Sequence, residues 1–204
     1  MSSGPLFGLP RMETMQIDLG AQAEVLKRVV AGVRDEQLGD PTPCPDMTVA
    51  TLLDHVAGLA VGLRLSAEKT PDPSPPQPSA DHLPPQWRTV IPAELDALVA
   101  AWRKPEAWQG ETAAGGVAMA AVGIGLVTVD EVLVHGWDLA VATGQEFEAD
   151  PPAVDAATMF AAEVAAGPVE PGLFGPPVPV PDDAPPLHRL LGLTGRDPNW
   201  RPPA

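Results

Sequence analysis

Apolar positions recur along this chain at helical rather than strand spacing. Between Met12 and Val33, residues Ile17, Leu19, Ala23, Leu26, Val29 and Val30 form a rough helical stripe with Glu24 and Arg28 outside it. Gly32 and the Gly39-Asp40-Pro41 cluster mark its end. Thr48 is placed to cap a second helix from Val49 to Lys69, on which Leu52, His55 and Leu59 share one face at steps of three and four. A third helix is expected over Gln86–Arg103, with Val90, Leu95, Leu98 and Trp102 at near-helical intervals; Pro92 moves its expected start toward Ile91, since proline suits an early helical position. Lys104 to Gly115 reads as a connection containing a short extended piece. From Gly116 to Thr143 the chain is apolar on nearly all sides, which predicts a central buried helix about 40 Å long. Gly144 is its expected stop. A fifth helix opens at Pro151 and ends at Gly167, and a short sixth spans Ala184 to Leu193 with Leu187, Leu190 and Leu191.

These elements add up to an all-α fold, an antiparallel four-helix bundle with proline-rich loops. Residues 1–167 are expected to form the bundle and residues 168–204 a proline-rich tail packed on the same domain; a chain of 204 residues is long enough for one such core. The 27 prolines fall mostly between helices. PTPCPDMT, with three prolines in five positions, is expected to be extended and stiff, and TPDPSPPQPSADHLPP a surface loop. A formal net charge of −15 argues against nucleic-acid or anionic-membrane partners. One cysteine, Cys44, excludes an internal disulfide and a multi-cysteine zinc site and fits a reducing cytoplasm. The N-terminal MSSGPLFGLPRMETMQ lacks the pattern of a secretory signal. The one membrane-span candidate, GGVAMAAVGIGLVTVDEVLV, carries Asp130, Glu131 and several glycines, which favours a buried core helix.

The chemistry concentrates where charge meets apolar sequence. Glu131 and His135 are four apart, one turn along one helix face, and His55 points where its neighbouring leucines point. A carboxylate and imidazoles directed into a core cost free energy unless something pairs with them. Two imidazoles and one carboxylate suit zinc with an open fourth position, and equally iron(II), manganese or nickel. The alternative is a plain i, i+4 Glu–His pair with His55 as a hydrogen-bonded core residue. Asp138, three beyond His135, returns to the same face, either to accept an imidazole N–H or as another metal carboxylate. Asp54 is expected at the surface, Asp130 rotated away from Glu131, and Trp137 in packing. His82 reads as a solvated loop residue and His188 as near the surface. Cys44 has three readings: an inert thiol, an approach to the metal, or exchange with a substrate thiol. No phosphate-cradling glycine loop and no Gly-x-Ser-x-Gly elbow occur.

PTPCPDMTVATLLDHVAGL resembles the signature around the first metal histidine of the DinB-like superfamily, and DEVLVHGWDLAVATGQ resembles the second signature. The closer similarity is to actinobacterial metal-binding proteins related to the N-terminal domain of mycothiol-dependent maleylpyruvate isomerase, and FGPPVPVPDDAPPLHRLLGLTGRDPNW is similar to the ending of one subgroup of them. Met47 stands where that family's first signature usually has tryptophan. The resemblance implies a DinB-like four-helix bundle holding one divalent metal, zinc first and nickel second, on His55, Glu131 and His135. It also implies mycothiol as a co-substrate whose thiolate the metal favours.

Two functions of different class follow. One is a metal- and thiol-dependent transferase or isomerase acting on small electrophiles, maleylpyruvate-isomerase-like in chemistry. The other is a non-catalytic metal-binding or interaction protein in which the metal ties helices together. The expected partners are a small-molecule thiol and an electrophilic substrate, with no nucleic acid, no membrane, a cytoplasmic location, and a homodimer as a compatible assembly.

Overall fold

The computed structural model describes residues 16–72, 74, 76–166 and 174–203. Its helices are α1 (Gly20–Gly32), α2 (Val49–Ala67), α3 (Trp87–Trp102), α4 (Ala121–Ala142), α5 (Pro151–Ala166) and α6 (Pro186–Leu193). Strands β1 (Glu111–Ala114) and β2 (Val117–Ala120) form an antiparallel hairpin between α3 and α4. The apolar run of α4 makes it the centre of the molecule. Val129, Leu133, Leu139 and Ala140 are fully enclosed, and α4 packs on α1, α2 and α5 while α3 closes the core against α1 and α2. Helix α6 packs on α5.

The fold is therefore mostly helical rather than all-α. The expected fourth helix absorbed Gly116–Ala120, of which Gly116 lies in a turn and Val117–Ala120 form β2. Gly115 and Gly116 both have positive φ, 55° and 81°, the backbone of a tight two-residue hairpin turn that glycine adopts without strain. The hairpin is fastened to α2, with the Thr112 hydroxyl donating to the Ser66 carbonyl at 2.7 Å and the Ser66 hydroxyl donating to the Ala113 carbonyl at 2.6 Å. Below it, Trp108 Nε1–H donates to the Trp102 carbonyl at 2.6 Å and Trp102 Nε1–H to the Leu63 carbonyl at 3.2 Å. The two indoles meet edge to face, and the Trp108 ring lies where a Cβ on Gly125 would sit.

Other boundaries also moved. Met12 to Met15, the expected start of the first helix, lie outside the described residues, and so does the expected Gly167 stop. Residues 16–19 are not helical; α1 begins where the Asp18 carboxylate accepts the Gly20 N–H at 2.9 Å and pairs with Arg103. Helix α3 starts at Trp87, ahead of Pro92, because burial of Trp87 and Ile91 holds its first turns in place. PTPCPDMT is not a straight extended segment. Pro41 bridges to Thr48, the Thr42 hydroxyl bonds the carbonyls of Cys44 and Met47, and Asp46 turns with φ 62°, so the segment doubles back. Thr48 caps α2 as expected, accepting the Thr51 N–H, and Gly144 follows the last turn of α4 with φ 68°. Helix α2, rather than the run read from the sequence, is long and apolar enough to cross a membrane by length and composition. Its Leu52, Leu53, Val56 and Leu63 are buried in the core of this fold.

Candidate metal centre

On α2 His55 follows the buried Leu52 by three residues and is half-buried, its ring directed at His135 of α4. The α4 periodicity then presents Glu131 and His135 to it from successive turns. The donor atoms of His55, Glu131 and His135 all lie within 4.8 Å of one another, and the two imidazole rings meet edge-on with centroids 4.9 Å apart. His135 Nε2 is 2.9 Å from Glu131 Oε2. A divalent ion about 2.1 Å from each donor would hold them roughly 3.4 Å apart, so modest side-chain rotation closes the set. Glu131 is the more open side, 21 % exposed at its side chain against 7 % for His135. A recess beside Glu131, between α1, α2, α3 and α4, is lined by Val56, Leu59, Leu63, Leu95 and Val132 and has Glu131 as its polar group.

Hydrogen bonding assigns the imidazole nitrogens. A carboxylate only accepts, so without a metal His135 donates from both nitrogens, Nδ1–H to Asp138 Oδ2 at 3.0 Å and Nε2–H to Glu131 Oε2 at 2.9 Å, and Nε2 is the nitrogen on the Glu131 side. Asp138 is fully buried, and Arg196 Nη2 donates to the same Oδ2 at 3.2 Å. Burial alone would lower the His135 pKa, but the bonds to Asp138 and Glu131 outweigh it and raise His135 to about 9. Burial would likewise raise Glu131, yet the hydrogen bond and charge of His135 bring it below the usual carboxylate value. His55 is pushed down to about 4 by burial and by His135, so it is a neutral, ligand-ready imidazole at pH 7.

A second donor group, Cys44 with His135 and Asp138, also converges within 4.8 Å. It is the poorer cation site. The Arg196 guanidinium already occupies Asp138, and burial together with Asp138 pushes the Cys44 thiol up to about 11, so it stays protonated and weakly nucleophilic. The His55, Glu131 and His135 set fits a divalent metal by its donor chemistry.

The remaining assignments divide. Asp54, expected at the surface, is 16 % exposed at its side chain. Its carboxylate accepts the Ser79 N–H at 3.0 Å, which ties the proline-rich loop to α2. His82 is exposed, Trp137 is buried in packing, and His188 is half-buried on α6. Asp130 is rotated off the Glu131 face yet buried, with Oδ1 lacking a partner among the described residues; burial and Glu131 push it up to about 8. Arg196 is the functional candidate that sequence reasoning missed.

Residues 19–140 match the family described as mycothiol maleylpyruvate isomerase N-terminal domain. Two uncharacterized proteins of Mycobacterium tuberculosis, one from strain ATCC 25618 / H37Rv and one from strain CDC 1551 / Oshkosh, are each 37 % identical to this chain over 186 residues. Each alignment covers 82 % of this chain and 90 % of the relative. The crystal structure of the mycothiol-dependent maleylpyruvate isomerase shares the fold, with a TM-score of 0.55 at 19 % identity over 79 % of this chain and 72 % of that one. A His-to-Ala mutant of that isomerase gives 0.56 at 18 % with the same coverage.

Proposed function

The chain belongs to the mycothiol maleylpyruvate isomerase N-terminal domain family, and from that premise we propose that it is a divalent-metal protein that transfers or isomerises small electrophiles with a low-molecular-weight thiol such as mycothiol. His55, Glu131 and His135 hold the metal, zinc in the first place and nickel in the second. The observation that carries this reading is the convergence of two imidazoles and one carboxylate, one of the imidazoles neutral and the carboxylate ionised, beside an apolar recess. We read α1 to α4 as a DinB-like four-helix bundle, with the C-terminal tail as part of the same domain and the protein as cytoplasmic.

A bound divalent ion supplies the positive charge that favours a thiolate at neutral pH. The chain's own groups do the rest. Asp138 holds the Nδ1 proton of His135, so Nε2 is the nitrogen that faces the metal position. Glu131 brings the one negative charge that offsets the ion. The aliphatic side chains of the recess shield one side of the Glu131 carboxylate from water. The test is turnover of maleylpyruvate and of alkylating electrophiles with mycothiol by the zinc- and nickel-loaded protein. Thiol-dependent turnover lost in His55→Ala is the expected result, and full inertness of the metallated protein toward every thiol tried would sink the catalytic reading.

The non-catalytic reading has one observation in its favour. His55 lies on α2 while Glu131 and His135 lie on α4, so an ion there cross-links two core helices. It is distinguished by a metal that raises Tm without any thiol-dependent turnover.

Metal affinity is expected to rise with pH. Without a metal, His135 binds its proton up to about pH 9, and that proton sits where the ion must go. Each unit of pH below that value therefore lowers apparent affinity by about tenfold, for one displaced proton. His55, at about 4, does not compete in the neutral range. Titration calorimetry at pH 7 in buffers of different ionisation enthalpy should report about one proton released per metal. Affinity independent of pH between 6 and 8 would contradict the assignment.

A further inference from the structure

The tail that follows α6 carries a buried cation for which the fold makes special provision. Gly195 has φ 79°, and the helix ends in a turn in which the Gly195 N–H bonds the Gly192 carbonyl at 3.2 Å and the Arg196 N–H the Leu191 carbonyl at 2.8 Å. Gly195 also lies against the backbone of Gly175, where a Cβ would collide. The backbone of Arg196 is thus fixed by a glycine cap and by a neighbouring chain segment. Its side chain is 11 % exposed. Nη1 donates to the Thr194 carbonyl at 2.9 Å and Nη2 to Asp138 Oδ2 at 3.2 Å. Burying a guanidinium is costly unless it is paired, and its partner is the carboxylate that accepts from His135.

Both donors meet on one oxygen. His135 Nδ1 is 3.0 Å and Arg196 Nη2 3.2 Å from Asp138 Oδ2, while Oδ1 of Asp138 and Nε of Arg196 have no partner among the described residues. The Asp138 carboxyl is therefore held through one oxygen from two sides, by His135 one turn back on α4 and by Arg196 of the tail. We propose that Arg196 is a positioning residue of the metal centre: it fixes Asp138 so that Oδ2 takes the Nδ1–H of His135 and His135 Nε2 is presented to the metal. The C-terminal tail is on this account a working part of the site, 58 residues beyond Asp138 in the chain. The inference rests on His55, Glu131 and His135 being the ligands.

The experiment is zinc affinity by competition with a chromophoric chelator, measured on the full chain and on Arg196→Met, Asp138→Asn and the double variant. Arg196→Met keeps the apolar stem and removes the charge. Removing a group that orients a ligand typically costs about 10- to 100-fold in metal affinity, so that loss is expected in each single variant. Because Arg196 acts through Asp138, its effect should vanish in the Asp138→Asn background. Arg196→Lys should recover part of the affinity, and it serves as the folded substitute if Arg196→Met does not fold. Arg189→Met removes another cation of the C-terminal segment, one that bonds the Asp182 carbonyl at 3.1 Å and does not touch Asp138, and should leave affinity unchanged. Long-range ¹H–¹⁵N correlation of the zinc-loaded protein should show His135 protonated at Nδ1 in the full chain and altered in Arg196→Met. Wild-type affinity in Arg196→Met, or losses that add in the double variant, would overturn the proposal. A full chain that binds no zinc would instead overturn the ligand assignment itself, so the two failures are separable.

Discussion

Replacing Glu131 with glutamine should lower zinc affinity by at least about a hundredfold, more than the loss of a group that only orients a ligand, while the helices stay folded. Glutamine keeps the volume of the side chain and its amide oxygen can still face His135, so packing is preserved. What disappears is the single negative charge of the donor set. Glu131 is held ionised below its usual pKa by the His135 imidazole 2.9 Å away, and a neutral amide oxygen is a far weaker zinc donor than a carboxylate. Competition with a chelator of known affinity measures the effect, and circular dichroism checks the fold. Undiminished affinity would remove Glu131 from the ligand set and leave the Glu131–His135 contact as an ordinary helix pair. The same substitution also bears on the pH behaviour. With the carboxylate gone, one of the two acceptors that raise His135 is lost, so proton competition should weaken and the pH dependence should flatten.

The donor set was legible because helix periodicity reports which side chains share a face. His55 among leucines, Glu131 and His135 one turn apart, and Asp138 three further on were all readable from spacing, and the structure brings these four side chains together. Spacing along one helix could not give the distance between α2 and α4, nor distinguish a metal set from a Glu–His pair. Arg196 was out of reach for a different reason. It sits in an aperiodic proline-rich tail, and its only local mark is the preceding glycine, which predicts a turn and not a destination. The hairpin was misread because Val117 to Ala120 are as apolar as α4 and run straight into it, so hydrophobicity gave no boundary there. The Gly115-Gly116 pair was the available signal, since two adjacent glycines suit the positive-φ hairpin turn that the chain makes. In the Cys44 segment the prolines fixed φ but not the direction of the chain; Thr42 and Asp46 make the turn.

Trp102→Ala should destabilise the protein by about 3–5 kcal/mol, the usual range for truncating a buried large aromatic, and lower Tm by roughly 6–20 °C for a chain of this size. Trp102 is 1 % exposed and belongs to a stack that joins α2, α3 and α4. Its indole bonds the Leu63 carbonyl of α2, its own carbonyl takes the Trp108 indole, and Trp108 lies against Gly125 of α4. The alanine variant leaves the Leu63 carbonyl without that donor and the Trp108 ring without its edge-to-face partner, so the loss exceeds a simple cavity. The same change should leave zinc affinity within about threefold at a temperature where the variant is folded. Leu63 is eight residues beyond His55 on α2, about 12 Å along the helix axis, and Gly125 on α4 is six residues before Glu131, about 9 Å, and ten before His135, about 15 Å. The stack therefore holds one end of the α2–α4 pair while the candidate ligands occupy the other. A combined collapse of stability and metal affinity in the folded variant would show that the two ends are one cooperative unit; stability lost with affinity kept would show that the indole stack, and not the metal, is what holds these helices in register.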